Sequence, residues 1–462
     1  MKQVTLIVPD PIATQLSEYA DLAVESAGVL LVSILHCSNG NIRLLARQMH
    51  WIDPDSYVHR THEAMSIRPE SYVGFLAEAA NLGATPIWVH THPGQNSSPR
   101  PSHHDNEVDR QIIETFRIRA GTEYYGTLIL SPRPNGITFT GYLQGPAQET
   151  NPISRLWDVS DQLRLTSSAD SKEPVIDSRF DRSVRAFGGP IQQMLAQLHL
   201  GIVGCGGTGS AVFEQLARLG VANFTLVDPD VLSKTNLTRV YGTGEQDVGQ
   251  YKVDILKRHG RRISEAICVN AIPSMITVES TAAVLDGCDL VFGCTDDNAG
   301  RLVLSRFPTY LLTPVIDCGV LLSSDTCDHL TGIDGRVTTL LPGTGCLVCR
   351  NRIDLRRAAA ELRTPAERRK LEDEGYAPAL GSTEPAVVTF TTLVAATAVA
   401  ELLERLVGYG PVPRPTETLV RIHEREISTN RSEPRIGHYC HPGSGKRGIG
   451  RTHPFLDQTW VS

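Results

Sequence analysis

The sequence predicts two α/β domains joined by a polar linker, the second of them built on a doubly wound, mostly parallel sheet. Three observations carry this prediction. The chain has 462 residues, more than a single ordinary core organises. Its first third alternates short apolar runs with segments of helical period. A buried strand, a glycine turn and an amphipathic helix follow one another across residues 198–220. The expected boundaries are a first domain at 1–145, a linker at 146–178 and a second domain with a C-terminal tail at 179–462.

In the first domain, Val4–Val8 reads as a strand, 12–23 as a helix and 28–35 as a second strand. Further strands are expected at 42–46, 86–90, 124–130 and 137–143, with helices at 71–82 and 106–116. From Gly145 to Ser178 the chain turns polar, through QETNPIS and TSSADSKEP, and periodicity resumes near Arg179. In the second domain FTLVDPD gives the next strand, and strands at 290–293 and 314–317 alternate with helical stretches. The longest apolar run, 387–403, is interrupted by four threonines and contains Glu401, so it reads as a buried helix and not a membrane span.

With 41% hydrophobic and 21% charged residues, the composition excludes wholesale disorder. A formal charge of −7 with no dense Lys/Arg run argues against a nucleic-acid partner. The start, MKQVTLIVPDPIATQL, lacks the form of a signal peptide. Ten cysteines in such a chain read as reduced thiols and metal ligands, so the expected location is cytoplasmic.

Glu25-Ser-Ala-Gly28, His90-Thr-His92-Pro93 and Ser102-His-His-Asp105 supply a carboxylate, two imidazoles, a hydroxyl and a second carboxylate. Histidines two apart at a strand end point the same way, so His90 and His92 can share one ion. Asp105 is the third candidate ligand, leaving a fourth position for water whose pKa zinc lowers to about 7. Glu25 is placed to take that water's proton, and Ser102 to donate a hydrogen bond to a developing oxyanion. These elements resemble the JAB/JAMM (MPN-type) metalloprotease family, with its E-x-x-G, H-x-H-P and S-x-x-D. That resemblance covers the first third of the chain and implies a zinc isopeptidase domain. His103 and His104 read as exposed residues at a helix start.

The turn Gly204-Cys-Gly206-Gly207-Thr-Gly209 lets backbone approach a phosphate and aims helix N–H groups at it. Asp228 ends the next strand, where a dinucleotide fold puts its ribose-binding acid, so a nicotinamide dehydrogenase is the first competitor. Asp230, Asn236, Arg239 and Lys252 decide against it, since a triphosphate needs these groups and a nicotinamide does not. Asp296, in Cys294-Thr-Asp-Asp297, can hold magnesium. The glycine turn, DPDVLSKTNLTRV, the lysine and C-T-D resemble the ThiF/MoeB/ubiquitin-activating-enzyme superfamily over residues 179–409. The resemblance implies a Rossmann-like adenylation domain that uses ATP and Mg2+. It implies phosphate approach at Gly204, Gly206, Gly207 and Gly209, ribose at Asp228, phosphates at Asn236, Arg239 and Lys252, and magnesium at Asp296. By the same likeness Arg182, in Arg179-Phe-Asp-Arg182, reaches the ATP of a second subunit, which implies a homodimer.

Cys346-Leu-Val-Cys349 has zinc-knuckle spacing, and Cys440 in HYCHPG is the third candidate ligand, with His438 or His441 as the fourth. Cys37, Cys268 and Cys288 are expected in the core.

The function expected is dual: cleavage after the C-terminus of a ubiquitin-like protein and adenylation of the carboxylate so exposed, with a conjugating-enzyme-like protein as a further partner. One alternative is activation of a sulfur carrier for cofactor or siderophore synthesis; another is a non-catalytic scaffold that binds ubiquitin-like tails. No cysteine lies between Asn351 and Pro385, so the adenylate is expected to pass directly to a partner's nucleophile without a thioester on this chain.

Overall fold

The computed structural model describes residues 2–94, 99–134, 136–171, 174–325, 329–363, 367, 370 and 386–460. It divides into two compact units, Met1–Glu173 with Gly448–Arg451, and Pro174–Arg447 with Thr452–Ser462.

The first unit runs β1 (Val4–Val8), α1 (Ile12–Ala20), β2 (Ala27–His36), β3 (Ile42–Trp51), β4 (Tyr57–Arg60), β5 (Met65–Ile67), α2 (Glu70–Leu82), β6 (Thr85–Thr91), α3 (His103–Ala120), β7 (Tyr125–Arg133), β8 (Gly136–Gln144), β9 (Thr150–Val159) and β10 (Leu163–Ser167). Its main sheet has the order β1-β3-β2-β6-β7-β8-β9-β10, and β9 also pairs in parallel with β1, so the sheet curls back on itself. Strand β2 explains why its sequence is apolar without alternation. Leu30 and Val32 face the core that α1 covers, while Val29 and Leu31 face the core formed with α2 and α3, so both faces are dry.

The expected linker at 146–178 is corrected here. Strands β9 and β10 lie inside it, with Ile153, Leu156, Trp157, Val159 and Leu163 buried, and the division between units falls after Glu173. Polar residues such as Asn151, Ser154 and Asp158 interleave with these apolar ones. The partner strand β1 is some 150 residues away, so local composition does not reveal the pairing.

The second unit contains α4 (Asp181–Phe187), α5 (Gly189–Gln197), β11 (His199–Val203), α6 (Gly207–Arg218), β12 (Asn223–Val227), α7 (Lys252–Ile263), β13 (Cys268–Ile272), α8 (Glu279–Val284), β14 (Leu290–Gly293), α9 (Asn298–Leu304), α10 (Phe307–Tyr310), β15 (Val315–Ser324), β16 (Leu330–Leu340), α11 (Leu355–Glu361), α12 (Val388–Val407), β17 (Glu417–Arg421) and β18 (Glu426–Asn430). Its sheet order is β13-β12-β11-β14-β15-β16-β17-β18. The first five strands are parallel, and β16 to β18 extend the sheet antiparallel. Strand order reverses between β11 and β14, which makes the crevice at their carboxyl ends the place where a doubly wound sheet binds ligands.

The apolar run at 387–403 forms most of α12, which packs on α6, β15 and β16 with Val394, Ala395, Ala398 and Leu402 buried. Among the described residues no helix is long and apolar enough to cross a membrane. Cys37 and Cys288 are buried, whereas Cys268 is exposed at the start of the edge strand β13, which corrects its expected core position. Cys327 and the segment Gly375-Tyr-Ala-Pro-Ala-Leu-Gly381 lie outside the described residues.

Candidate functional site

Each unit carries its own constellation. In the first, antiparallel pairing of β2 with β6 sets Ala27 opposite His90. The ladder continues through Thr91, whose N–H donates to the Ser26 carbonyl at 2.9 Å and whose hydroxyl accepts the Ser26 N–H at 2.9 Å. His90 and His92 therefore leave the end of β6 beside the segment that carries Glu25.

Helix α3 supplies the other ligand. Ser102 is its N-cap: the Ser102 hydroxyl oxygen accepts the Asp105 N–H at 3.1 Å, and Asp105 Oδ2 accepts the Ser102 N–H at 2.6 Å. This capping box fixes the Asp105 carboxylate and leaves the Ser102 O–H to donate elsewhere. His103 and His104 are exposed in the first turn.

Asp105 Oδ1 lies 3.3 Å from His90 Nε2, and its Oδ2 lies 3.4 Å from His92 Nε2. Metal bonds of 2.0–2.1 Å to nitrogen and oxygen define a tetrahedron with edges of roughly 3.3 Å, which each histidine-to-carboxylate distance approaches, and the three donors all lie within 4.8 Å of one another. His90 is 2% exposed, and among the described residues neither ring nitrogen makes a well-formed hydrogen bond, although Nε2 faces the Asp105 carboxylate. A buried imidazole that makes no well-formed hydrogen bond is costly unless something else takes its lone pair. The donor set fits zinc, with a fourth position open. Burial alone would raise the Asp105 carboxyl, but the neighbouring His90 and His92 outweigh it and hold it well below the usual carboxylate range. Burial raises the half-buried Glu25 carboxyl, with the same two imidazoles opposing. The Glu25 backbone is held by the Thr61 carbonyl, which accepts its N–H at 2.8 Å, and by Arg60 Nε, which donates to its carbonyl at 2.7 Å.

In the second unit the turn after β11 meets the loop after β14. Gly204 has φ +88°, and a Cβ there would sit 2.6 Å from the Cys294 carbonyl oxygen; one on Gly209 would sit 1.8 Å from the Gly204 carbonyl oxygen. Both glycines answer to packing within the chain. Gly206 does not. It is the N-cap of α6, with φ −74° and no side-chain cap, and among the described residues a Cβ there would meet nothing within 4 Å. The turn is thus open where a phosphate would approach the helix N–H groups. Gly207 lies under Arg239, whose Cδ would be 3.3 Å from its added Cβ, so Arg239 lies over the first turn of α6.

Asp228 is 5% exposed and supports the turn directly, its Oδ2 accepting the Cys205 N–H at 2.6 Å and its Oδ1 the Asp230 N–H at 2.8 Å. Burial pushes its carboxyl up, and Lys252, with Nζ 3.9 Å away, pulls it down. Lys252 Nζ also donates to Asp230 Oδ2 at 2.6 Å. Asn236 accepts the Ser233 N–H at 3.2 Å and orders the short turn that presents Arg239. Asp296 is exposed between β14 and α9, while Asp297 is spent as the N-cap of α9. Arg182 is exposed on α4.

A third cluster brings together Cys346, Cys349, His438 and Cys440. His438 Nδ1 is 3.4, 3.4 and 3.3 Å from the three sulfurs, and Cys349 Sγ is 3.6 Å from Cys440 Sγ. A tetrahedral ion with bonds near 2.3 Å to sulfur and 2.0 Å to nitrogen requires roughly 3.8 Å between sulfurs and 3.5 Å from sulfur to nitrogen, which these distances approach. Sequence left His438 and His441 equal. Here His441 caps a short turn, its Nδ1 accepting the Gly443 N–H at 3.1 Å, and His438 faces the thiols. The neighbouring Cys440 thiol, with Tyr439, holds the Cys346 thiol below its ordinary value against burial.

The ThiF family model matches residues 180–441, more than half of the chain and wholly inside the second unit. A stretch of 180 residues is 31% identical to the adenylyltransferase and sulfurtransferase uba4 of Pyricularia oryzae, covering 38% of this chain and 36% of that protein. A 177-residue stretch is 30% identical to the molybdopterin-synthase adenylyltransferase of Escherichia coli, covering 37% of this chain and 71% of the relative. The tRNA threonylcarbamoyladenosine dehydratase of E. coli is 28% identical over 142 residues, covering 30% of this chain and 53% of the relative. The chain thus spans between 36% and 71% of these relatives' own lengths. With its parallel sheet, its open glycine turn and a family model over more than half its length, the chain belongs to the ThiF family.

Proposed function

We propose that the second unit adenylates the C-terminal carboxylate of a small carrier protein, of ubiquitin-like or sulfur-carrier type, and that the first unit hydrolyses the bond following that same C-terminus. The open turn at Gly206 carries the adenylation reading. Among the described residues nothing demands glycine there, whereas a phosphate approaching the N-terminus of α6 does.

The carrier carboxylate attacks the α-phosphate of ATP and pyrophosphate leaves, so two anions must be brought together. Arg239 over the first turn of α6 and Lys252 at the start of α7 offset that repulsion. Lys252 does so by exchanging Asp230 for phosphate. Asp296 is the residue to hold magnesium, whose charge stabilises the departing pyrophosphate. Asp228 keeps the glycine turn in place from below, and its burial makes support of the turn its main task beside any ribose contact. Arg182 is reserved for the ATP of a second copy.

In the first unit His90, His92 and Asp105 would hold zinc, which would supply the Lewis acidity that lets a water lose a proton near neutral pH. Glu25 takes that proton and passes it to the departing amine, and Ser102 donates to the carbonyl oxygen as it gains charge.

Two of the three relatives are named for sulfur transfer or molybdopterin synthase, which favours a carrier whose adenylate is destined for sulfur over one bound for a conjugating enzyme. Glu25→Gln should lower cleavage of a carrier precursor with a C-terminal extension by about two to four orders of magnitude, and leave adenylation of the mature carrier intact. Electrophoretic mobility of the precursor and release of pyrophosphate report the two steps. Full cleavage by Glu25→Gln protein would remove Glu25 from the chemistry.

A further inference from the structure

Helix α3 carries a second carboxylate, Asp109, one turn beyond Asp105 and on the same face, because residues four apart on a helix are stacked. No motif singles it out. It is half-buried beneath the cluster of His90, His92 and Asp105, and each of its oxygens accepts a phenolic hydrogen bond from the sheet. Tyr125 on β7 donates to Oδ1 at 2.7 Å, and Tyr142 on β8 donates to Oδ2 at 3.0 Å. Burial raises the Asp109 carboxyl, the two tyrosines and His90 oppose the rise, and Asp105 adds to it. The charge of Asp109 is thus felt at the cluster. Tyr125 is fully buried and packs edge-on against Phe116 of the same helix, so the anchor it offers is rigid.

Consider what fixes Asp105. Its carboxylate must hold both oxygens toward two histidines on β6, while its backbone belongs to α3 and not to the sheet. The capping box sets the carboxylate relative to the helix. The Asp109 clamp ties the helix to the sheet, one turn away, through two charge-assisted bonds, one to β7 and one to β8. Outer groups of this kind orient metal ligands, and their loss typically weakens metal binding by about 10- to 100-fold.

We propose that Asp109, clamped by Tyr125 and Tyr142, is the positioning residue that registers α3 on the sheet and so keeps Asp105 at metal-binding distance from His90 and His92. The inference rests on the reading of that triad as a zinc centre.

The test is zinc and cobalt titration of the full-length protein after removal of metal. Two equivalents are expected in the unaltered protein, one of them marked in its cobalt form by sulfur-to-metal charge-transfer absorption from Cys346, Cys349 and Cys440, the other without it. Asp109→Asn should weaken the sulfur-free equivalent by roughly tenfold or more and leave the sulfur-bearing one unchanged. Tyr125→Phe and Tyr142→Phe, which delete one hydroxyl each from an otherwise kept ring, should each weaken it by a smaller factor, and Asp109→Glu should recover part of the loss. The thermal midpoint of the metal-free variants separates positioning from folding, since a residue that only stabilises the unit lowers that midpoint and leaves affinity alone. Unchanged affinity in folded Asp109→Asn, or in both tyrosine variants should Asp109→Asn fail to fold, overturns the proposal while the zinc reading stands. Uptake of only the sulfur-bearing equivalent by the unaltered protein overturns both.

Discussion

Gly206→Val is expected to abolish exchange of pyrophosphate into ATP, by about two to three orders of magnitude, in a protein that folds and melts as the unaltered one does. The separation of activity from stability follows from geometry. The backbone at Gly206 has a negative φ, and among the described residues an added Cβ meets nothing within 4 Å, so a side chain can begin there without a clash. It then stands where the phosphate must meet the N–H groups of α6. Gly209→Ala is the contrasting control, because its Cβ would fall 1.8 Å from the Gly204 carbonyl oxygen and the turn must shift to admit it. Gly209→Ala should lose stability and activity together. If Gly206→Val retained exchange, the triphosphate would have to bind away from this turn, and the assignment of the crevice would be lost with it.

If the Cys346, Cys349, His438 and Cys440 cluster holds zinc, as we propose, its removal is expected to be the largest single blow to the second unit. Three thiols are 2%, 7% and 3% exposed with one imidazole within 3.4 Å of each. The cluster ties the segment after β16 to the segment after β18, parts of the chain some 90 residues apart. A strong chelator, or Cys440→Ser, should lower the thermal midpoint on the order of 10 °C, since structural zinc contributes several kcal/mol or more and each kcal/mol moves a domain of this size by roughly 2–4 °C. Added zinc should restore the chelated protein and not the Cys440→Ser variant. A midpoint indifferent to chelation would mean that the thiols are packed as ordinary core side chains.

Much of this arrangement was legible in the sequence wherever local chemistry and spacing coincide. The run Val4–Val8 became β1 with the same bounds, and the glycine turn fell between β11 and α6 because a buried apolar strand, glycines and an amphipathic helix are each local signals. His90, His92 and Asp105 converge as their spacing implied, since strand alternation brings the histidines together and the Ser102 cap fixes the carboxylate. What escaped depends on distant partners. Strands β9 and β10 looked like linker because polar residues break up their apolar ones, and because β9 pairs with the distant β1 while β10 is joined to the sheet through β9. Cys268 was expected in the core for its apolar neighbours, but β13 is an edge strand and leaves it exposed. His438 and His441 could not be ranked because the choice depends on a turn that spends His441 on the Gly443 N–H. Asp109 belongs to no motif, and its role became visible only when β7 and β8 brought two hydroxyls to it.

The central claim is that one chain prepares and then activates the same carboxylate. The most direct measurement is the intact mass of a carrier incubated with this protein, magnesium and ATP, supplied in parallel as a precursor with a C-terminal extension and as the mature form. The account predicts that the precursor first loses its extension and then gains an adenylyl group. With Glu25→Gln protein the precursor should stay unchanged while the mature form is still adenylated, and with Gly206→Val protein the precursor should be trimmed and go no further. Adenylation of the mature carrier with no trimming of any precursor, across ubiquitin-like and sulfur-carrier substrates alike, would contradict the account and leave this chain an adenylating enzyme with a first unit of another purpose.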